Sequence, residues 1–361
     1  MPAAPTPDAF NFAQAVIRWQ VVHGRHGLPW QHTRDPYRVW LSEIMLQQTQ
    51  VVTVLGYYSR FLERFPSVLE LAAAEEAEVL ALWSGLGYYS RARNLHKCAQ
   101  AVVARHGGQF PQSAAELETL PGIGPSTAAA IASFCFSEPV SIFDGNVKRV
   151  LARFTGFESD LSIPASDRAL RQLATSHLPT GALLADMPRY TQGLMDLGAT
   201  VCTPSKPACL LCPLASACLA QRSGNPARLP VKTRRLVRRT VAWHLLLLQK
   251  PCGSVWLDKR PARGIWASLY CPPVFDSHNE LMACAAVSQA TSMVRLNSFT
   301  HTLTHRDIVL HPVVQQVPAE FNIQAAFPDS AQGQWVAPDQ VAHIGLPVPV
   351  TKLLVRLQVR P

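Results

Sequence analysis

The chain contains 361 residues, of which 48% are hydrophobic and 16% are charged, and its formal net charge is +9. This length and apolar content are typical of a globular protein with two domains, and they exclude a disordered chain. The excess of Lys and Arg suits a nucleic acid, because phosphates release counterions when cations bind them, but a basic enzyme without such a partner has the same charge.

The N-terminal residues Met1–Asn11 show no basic segment followed by an apolar run, so no secretory signal is expected. The apolar runs Leu245–Leu248 and Leu281–Val287 are far shorter than a membrane span. We therefore expect a cytoplasmic protein, associated with the nucleoid if it is bacterial. Nine cysteines in such a chain favour metal binding or catalysis over a disulfide framework.

Three regions follow one another along the chain. Residues 1–225 are predicted to form an all-α domain, because apolar residues recur at intervals of three and four. Residues 226–239, with prolines and clustered Lys and Arg, are predicted to be a basic interdomain linker. Residues 240–361 are predicted to form a smaller α+β domain. Its predicted elements are strands at Thr240–Leu248, Val255–Leu257 and Phe299–Val314 and a helix at Glu280–Ala290.

Glu43 lies in the apolar segment Trp40–Thr49, which is predicted to be helical. In one interpretation it is an ordinary charge on an exposed helical stripe. In the other, it is partly buried beside Trp40, Ile44 and Leu46, and burial raises the pKa of its carboxyl group. A carboxyl that keeps its proton near neutral pH can act as a general acid, so Glu43 is a candidate catalytic residue.

A helical hairpin is predicted at about residues 113–136. Ser113 and Glu116 have the spacing of a capping box for a short helix that must end before Pro121. Gly122 and Gly124 then form a Gly-x-Gly turn into an Ala-rich helix. Such a turn is often only a tight connection, but the free amides at the second helix's N-terminus also favour an anion such as a DNA phosphate.

Asp144 precedes the predicted helix Val147–Arg153, and by itself it could be a simple helix cap. Cleavage of an N-glycosidic bond requires a proton for the departing base and a negative charge facing the oxocarbenium-like sugar. Paired carboxylates divide these roles in glycoside hydrolysis. Glu43 and Asp144 can supply them, although chemistry alone does not single out this pair among 24 acidic residues.

One segment, residues 202–218, holds four cysteines, Cys202, Cys209, Cys212 and Cys218. Prolines between them turn the chain, so the four sulfurs can converge on one centre. A structural zinc site usually pairs two knuckles that lie a dozen or more residues apart. The single loop therefore favours a [4Fe-4S] cluster over zinc and over four unrelated thiols. Such a cluster would hold the loop rigid and present Lys206 to a DNA backbone.

Together these motifs resemble the MutY family of adenine DNA glycosylases, within the endonuclease III superfamily of helix-hairpin-helix enzymes. The resemblance is strong from about residue 28 to 220 and weaker from 240 to 355. It implies a helix-hairpin-helix glycosylase domain with one [4Fe-4S] cluster, followed by a MutT/Nudix-like domain. It also implies a monomer that acts on double-stranded DNA containing adenine opposite 8-oxoguanine or guanine.

The resemblance also assigns roles to particular residues. Glu43 would protonate adenine at N7, and Asp144 would stabilise the developing cation or trap it covalently before water attacks. Asn146 would help to position Asp144. Gln48 and Tyr88 would wedge into the base stack while adenine is flipped out, because the glycosidic bond cannot be reached inside a duplex. For Tyr88 the alternative is a plain core aromatic.

One position separates this chain from endonuclease III-type enzymes, which carry a catalytic lysine after their Gly-x-Gly-x sequence. That lysine forms a Schiff base with the sugar and cleaves the strand. Here the position holds Ser126, a candidate DNA contact together with Gly122, Gly124 and Lys206. The resemblance therefore implies a monofunctional glycosylase.

The C-terminal residues Arg263–Cys271 and Gly345–Val350 are similar to the Nudix-like domain of MutY proteins. The glutamate-rich Nudix box that binds Mg²⁺ is absent from the sequence, so lesion reading is implied and nucleotide hydrolysis is not. The family's Phe-Ser-His loop corresponds to Leu303-Thr304-His305, which keeps a hydroxyl group but loses the Phe. Thr304 and His305 are candidate lesion contacts, or else ordinary strand residues.

Two other functions stay open. The first is a bifunctional glycosylase-lyase for oxidised pyrimidines, which Ser126 and the lesion-reading domain disfavour. The second is a non-catalytic protein that binds mispairs. Such a protein would need neither Glu43 nor Asp144.

Overall fold

The structure is a computed structural model that describes residues 10–234, 237–284, 292–328, 330 and 332–358. The chain divides into two compact units. One unit comprises Met1–Ala72 and Lys97–Arg235, and the other comprises Ala73–His96 and Leu236–Pro361. Residues 73–96 therefore group with the C-terminal strands, although the sequence places them within residues 1–225. In the predicted linker, 226–239, residues 235 and 236 lie outside the described residues.

The first 225 residues are helical where the structure describes them, as predicted. Their α-helices are α1 (Phe12–His23), α2 (Pro36–Leu46), α3 (Val51–Arg64), α4 (Val68–Ala73), α5 (Glu76–Leu82), α6 (Ser90–His106), α7 (Ala114–Leu117), α8 (Pro125–Phe136), α9 (Gly145–Phe154), α10 (Pro164–Ser176), α11 (Met187–Thr200) and α12 (Leu219–Arg222). No helix in the described ranges is long and apolar enough to cross a membrane.

The predicted helix Trp40–Thr49 is shorter than expected. Helix α2 ends at Leu46, and α3 begins only at Val51. Between them Gln48 adopts a left-handed backbone with φ of 56°, a conformation that interrupts a right-handed helix. Since neither Gly nor Pro marks this break, the apolar spacing runs across it unchanged.

The core of the helical unit forms where α9 and α11 meet α1. On α9, Val147, Val150, Leu151 and Phe154 recur at intervals of three and four and are buried. Two glycines of α11 allow the close approach of its neighbours. A Cβ at Gly193 would lie 2.7 Å from a Val16 methyl, and a Cβ at Gly198 would lie 2.7 Å from the Asn146 Cβ. Larger residues at either position would push apart the helices that carry the functional side chains.

The C-terminal unit is built on a sheet with β1 and β7 at its centre. The described strands are β1 (Arg239–Gln249), β2 (Val255–Lys259), β3 (Tyr270–Cys271), β4 (Val274–Phe275), β5 (Ser292–Arg295), β6 (Phe299–Thr302), β7 (Arg306–Gln316) and β8 (Gln334–Val336). The main path runs β3-β2-β1-β7-β5, with β4 on β1, β6 on β7 and β8 on β2. The α-helices of this unit within the described residues are α13 (His278–Ala283), α14 (Ile323–Ala326) and α15 (Val348–Gln358).

The parallel pair β1 and β7 explains the apolar run of the sequence. The strands pair continuously from Arg239 opposite Arg306 to Gln249 opposite Gln316. The residues Leu245–Leu248 are completely buried, as expected for a strand that is covered on both faces. The α+β prediction for this region is confirmed.

Two details of the C-terminal prediction differ from the structure. The predicted single strand Phe299–Val314 is wrong, because it is an antiparallel hairpin of β6 and β7 that pairs Thr302 with Asp307. Alternating Thr, Leu and His residues conceal this turn, since it contains neither Gly nor Pro. The helix predicted at Glu280–Ala290 is described as α13 up to Ala283, and residues 285–290 lie outside the described residues.

Candidate active site

A large cavity of about 1380 Å³ opens in the helical unit, and we call it the Glu43 cavity. Its walls come from α2, from the turn after α2, from α8, from the start of α9 and from α11. Five residues predicted to be functional line it: Glu43, Gln48, Ser126, Asp144 and Asn146. The fold therefore brings together residues as far apart in the sequence as Glu43 and Asn146.

Glu43 is partly buried on α2, whose start is well defined. Asp35 caps the helix by accepting a hydrogen bond from the Tyr37 amide at 2.9 Å, and Pro36 occupies the first helical position. Burial raises the pKa of Glu43, and the nearby Asp144 carboxylate adds to this effect, so that the pKa reaches about 8. A carboxyl group in this environment is largely protonated at neutral pH.

Asp144 caps α9, the role that its position before a helix predicts. Its Oδ1 accepts a hydrogen bond from the Val147 amide at 2.8 Å. The helix N-terminus stabilises the negative charge of this carboxylate. Capping and a functional role are compatible here, because the capped carboxylate also lines the Glu43 cavity. The two carboxyl groups thus differ in environment, one desolvated and the other hydrogen-bonded at a helix end.

The predicted helical hairpin is present as α7 and α8. The Ser113 hydroxyl accepts a hydrogen bond from the Glu116 amide at 3.3 Å, which confirms the Ser113 half of the predicted capping box, while the Glu116 carboxylate accepts a hydrogen bond from the Ser113 hydroxyl at 2.9 Å. Gly122 has a φ of 76°, which favours glycine, and Gly124 is the residue that precedes α8. Ser126 lies in the first turn of α8, and its Oγ accepts a hydrogen bond from the Phe143 amide at 3.2 Å. The hairpin is therefore tied to the residue before Asp144.

The side chain of Asn146 is hydrogen-bonded within α9. Its Oδ1 accepts a hydrogen bond from the Arg149 guanidinium at 2.8 Å. Arg149 also donates to the backbone carbonyls of Gly198 and Cys202, each at 2.7 Å. The side chain of Asn146 thus belongs to a network that joins α9 to the end of α11.

Gln48 lies in the exposed turn between α2 and α3. Its left-handed backbone is uncommon for a residue with a side chain, and such conformations cluster at functional sites. The side-chain amide of the neighbouring Gln47 donates a hydrogen bond to the Thr127 hydroxyl at 3.3 Å, which fixes the turn against α8. Gln48 is therefore held at the wall of the Glu43 cavity with its side chain exposed.

Tyr88 and Thr304 form a pair within the C-terminal unit. Tyr88 also has a left-handed backbone, with φ of 48°, and its side chain is 45% exposed. The alternative that Tyr88 is a core aromatic is therefore wrong. Its hydroxyl lies 3.0 Å from the Thr304 hydroxyl. Thr304 and His305 occupy the turn between β6 and β7, so the alternative that they are strand residues is wrong as well.

The four cysteines follow α11 in a loop with two short 3-10 turns. No group of three or more His, Cys, Asp or Glu side chains within the described ranges is arranged to hold a metal ion. The donor chemistry nevertheless fits a thiolate-bound cluster. Burial raises the pKa of Cys212, and the three other thiols, which lie near it, raise it further. Backbone amides donate to the sulfurs of Cys212 and Cys218, as they do to cluster ligands.

Lys206 is exposed in this loop. Its backbone carbonyl accepts a hydrogen bond from the Thr203 hydroxyl at 2.7 Å. Arg153 braces the same loop from α9 by donating to the carbonyls of Thr203 and Pro204, each at 2.7 Å. The loop is therefore fastened to α9, the helix that begins at Asp144.

Several residues of the Glu43 cavity were not found from the sequence. The Arg25 guanidinium pairs with the buried Asp196 carboxylate at 2.6 Å, and Gln192 donates to the same carboxylate at 2.8 Å. The buried Gln31 Nε2 has no hydrogen-bond partner in the part of the chain that the structure describes. A run of histidines and arginines before α2 was the only signal, and it does not identify which of them face a cavity.

Comparisons with known proteins agree with this geometry. A family model described as HhH-GPD superfamily base excision DNA repair protein matches residues 41–175, and a NUDIX domain model matches residues 244–356. An adenine DNA glycosylase of Buchnera aphidicola subsp. Baizongia pistaciae is 36% identical over 353 residues, covering 96% of this chain and 97% of the relative. The human adenine DNA glycosylase is 42% identical over 220 residues, covering 58% of this chain and 39% of the relative.

A solved structure of a thermostable thymine-DNA glycosylase has a similar fold. It matches with a TM-score of 0.52 and 27% identity, covering 59% of this chain and 95% of that chain. The predicted fold class, a helix-hairpin-helix domain followed by a Nudix-like α+β domain, is therefore confirmed.

Proposed function

This chain belongs to the adenine DNA glycosylases, hydrolases of N-glycosidic bonds in base excision repair, and on that premise we propose that it releases adenine paired with 8-oxoguanine or guanine. One observation carries the proposal. Glu43, with a pKa raised to about 8, faces the same cavity as the capped Asp144 carboxylate. A proton donor and a fixed negative charge are what cleavage of this bond requires.

In the proposed reaction, Glu43 gives its proton to N7 of the flipped adenine, which makes the base a better leaving group. The electron pair of the glycosidic bond departs with the base and leaves positive charge on the sugar. Asp144 stabilises this oxocarbenium-like cation until water adds to it, because its carboxylate is held in place at the start of α9. Asn146 acts in support, through the network that also holds Arg149.

Adenine must leave the base stack to enter the Glu43 cavity. Gln48 and Tyr88 would fill the space that adenine leaves in the stack. Their exposed side chains and left-handed backbones support this role. Gly122, Gly124 and Ser126 surround the start of α8, where free amides favour a DNA phosphate. Lys206 adds a cation from the cysteine loop.

Cys202, Cys209, Cys212 and Cys218 would hold one [4Fe-4S] cluster. When bound, the cluster supplies structural support to the loop and takes no part in cleavage of the glycosidic bond. The loop itself presents Lys206, and Arg153 fastens it to α9.

We further propose that residues 240–361 read the base opposite the adenine, with Thr304 and His305 as the contacts, while residues 1–225 carry out the chemistry. The hydroxyl of Thr304 supports this, because it lies in an exposed turn beside Tyr88. The protein would act as a monomer on double-stranded DNA, in the cytoplasm and at the nucleoid if it is bacterial.

Ser126 supports a monofunctional enzyme, because a hydroxyl in place of the amine cannot form a Schiff base. The test uses duplexes that carry adenine opposite 8-oxoguanine, adenine opposite guanine, or thymine glycol opposite adenine, scored with and without hot alkali. We expect breaks at adenine only after alkali. Breaks at thymine glycol without alkali would instead support the bifunctional glycosylase-lyase, and binding without any release of base would support the non-catalytic protein.

A further inference from the structure

Phe143, the residue before Asp144, is buried and is contacted by the side chains of three other residues. Its side chain is only 4% exposed, although it lies in the connection between α8 and α9. Two cations lie over its ring, the Lys148 ammonium at 4.7 Å and the Arg171 guanidinium at 4.5 Å from the centroid. Its amide donates to the Ser126 hydroxyl at 3.2 Å.

The position of Lys148 explains half of this arrangement. A hydrophobic residue before a helix cap often packs on the fourth residue of the helix and fixes the angle at which the chain enters. In α9 that fourth residue is Lys148, so the contact is made by a cation and an aromatic ring. Lys148 also pairs with Asp167 on α10.

Helix α10 provides the other half. Asp167 and Arg171 are four residues apart and lie on the same face of α10. Through them α10 holds both Lys148 and the ring of Phe143. Phe143 is thereby fixed to α10 through its ring and to α8 through its backbone amide. Asp144 itself is fixed by the hydrogen bond that it accepts from the Val147 amide.

We propose that Phe143, clamped by Ser126, Lys148 and Arg171, is a positioning residue that sets the place of the Asp144 carboxylate in the Glu43 cavity. The proposal rests on the proposed function, because it gives Asp144 a catalytic role. Ser126 then has a positioning role, since its hydroxyl accepts a hydrogen bond from the Phe143 amide. Displacement of a reacting group by about 1 Å costs up to roughly a hundredfold in rate. A loosened clamp therefore lowers the rate of excision more than the affinity for DNA.

The experiment compares variants of the full chain in single-turnover excision of adenine opposite 8-oxoguanine, with the Kd for the same duplex measured separately. Ser126→Ala removes the acceptor and Ser126→Thr keeps it. Arg171→Met removes the cation and Arg171→Lys keeps it. Arg168→Met is the matched control, because Arg168 is exposed on the same helix and its loss changes the net charge equally.

We expect Ser126→Ala and Arg171→Met each to lower the excision rate by about tenfold while Kd changes by less than about threefold. Ser126→Thr and Arg171→Lys should restore the rate to within about threefold of the wild type, and Arg168→Met should leave it unchanged. Thermal melting of each variant separates loss of position from loss of fold. A variant in which Asp144 is only displaced should melt at the same temperature as the wild type.

Asp144→Asn distinguishes the two levels of the argument. If it abolishes excision while Ser126→Ala and Arg171→Met keep the full rate, the positioning role is wrong and the proposed function stands. Equal weakening of rate and affinity, without rescue by Thr or Lys, also overturns the positioning role. If Asp144→Asn excises adenine at the wild-type rate, the proposed function and the positioning role both fail.

Discussion

The Glu43 cavity and the Tyr88–Thr304 pair hold their functional groups in opposite ways. In the cavity, the carboxyl groups sit on helices, one desolvated inside α2 and the other capping α9. The hydroxyl pair lies on exposed turns, one with a left-handed backbone, and is joined by a single hydrogen bond. Desolvation of a carboxyl group changes its proton affinity, whereas side chains on an exposed turn are free to contact a partner. Changes in the first region should therefore alter rate, and changes in the second should alter binding.

The largest effect is expected from Glu43→Gln, which keeps the shape of the side chain but removes the proton donor. The rate of adenine excision should fall by roughly 10²–10⁴-fold, the usual contribution of a general acid, with Kd for the duplex nearly unchanged. Single-turnover kinetics and a binding titration measure the two quantities. Glu63→Gln on the exposed part of α3 is the control. Excision at the wild-type rate by the Glu43 variant would contradict the role of the cavity.

The second effect is the dependence of excision on pH. Since the pKa of Glu43 is raised to about 8, the acid form predominates at pH 7 and is lost above pH 8. The single-turnover rate should fall about tenfold per pH unit above this value. A rate that stays constant up to pH 10 would show that no group with this pKa supplies the proton.

The third effect concerns stability, because desolvation of Glu43 has a cost in the folded state. Its pKa of about 8 in the folded protein lies above the value of 4.5 for a glutamate in water. Between these values the native state keeps a proton that the unfolded chain has released, so this group lowers the free energy of unfolding as pH rises, until pH 8. Glu43→Gln removes the cost and should stabilise the protein by roughly 4 kcal/mol at pH 8 and by roughly 1 kcal/mol at pH 5. Urea unfolding at both pH values tests this sign.

Local signals in the sequence predicted the parts of the site that belong to one helix end. Asp144 before α9, the Ser113 cap and the Gly-x-Gly turn each depend on residues within a few positions, so spacing was sufficient. The break at Gln48 escaped the prediction because no Gly or Pro marks it. The turn at Thr304 escaped for the same reason.

Contacts between distant residues could not be predicted. Arg25 and Asp196 are 171 positions apart, and Tyr88 and Thr304 are 216 apart. A single sequence has no periodicity that links such pairs. Burial of Glu43 was one of two open interpretations, and only the packing of α2 against its neighbours decides between them.

The fourth effect is smaller and belongs to the exposed pair. Tyr88→Phe and Thr304→Val each remove one hydroxyl group and should each weaken binding of the adenine–8-oxoguanine duplex by about threefold, since a net hydrogen bond contributes roughly 0.5–1 kcal/mol. The double variant should be no weaker than either single one, because both remove the same bond. Additive losses in Kd, or a loss of excision rate with unchanged Kd, would break the distinction between the two regions.

The smallest effect tests the backbone of the C-terminal unit, where Trp266 and Ser268 both have left-handed conformations, with φ of 57° and 61°. Between them, the Ala267 carbonyl accepts a hydrogen bond from Arg93 at 2.7 Å, so the strained turn is held by the segment that also carries Tyr88. Ser268→Gly relieves a steric cost of about 1 kcal/mol and gives back part of it as entropy of the unfolded chain, for a net gain of roughly 0.5 kcal/mol.

Ala267→Gly is the matched control for this variant. Ala267 is buried and is not among the residues with positive φ, so its replacement should destabilise the protein by about 1 kcal/mol. Chemical unfolding curves should therefore move in opposite directions for two adjacent substitutions of the same kind. If Ser268→Gly also destabilises the protein, the serine side chain stabilises the left-handed turn, and this contribution outweighs the relief of backbone strain at position 268.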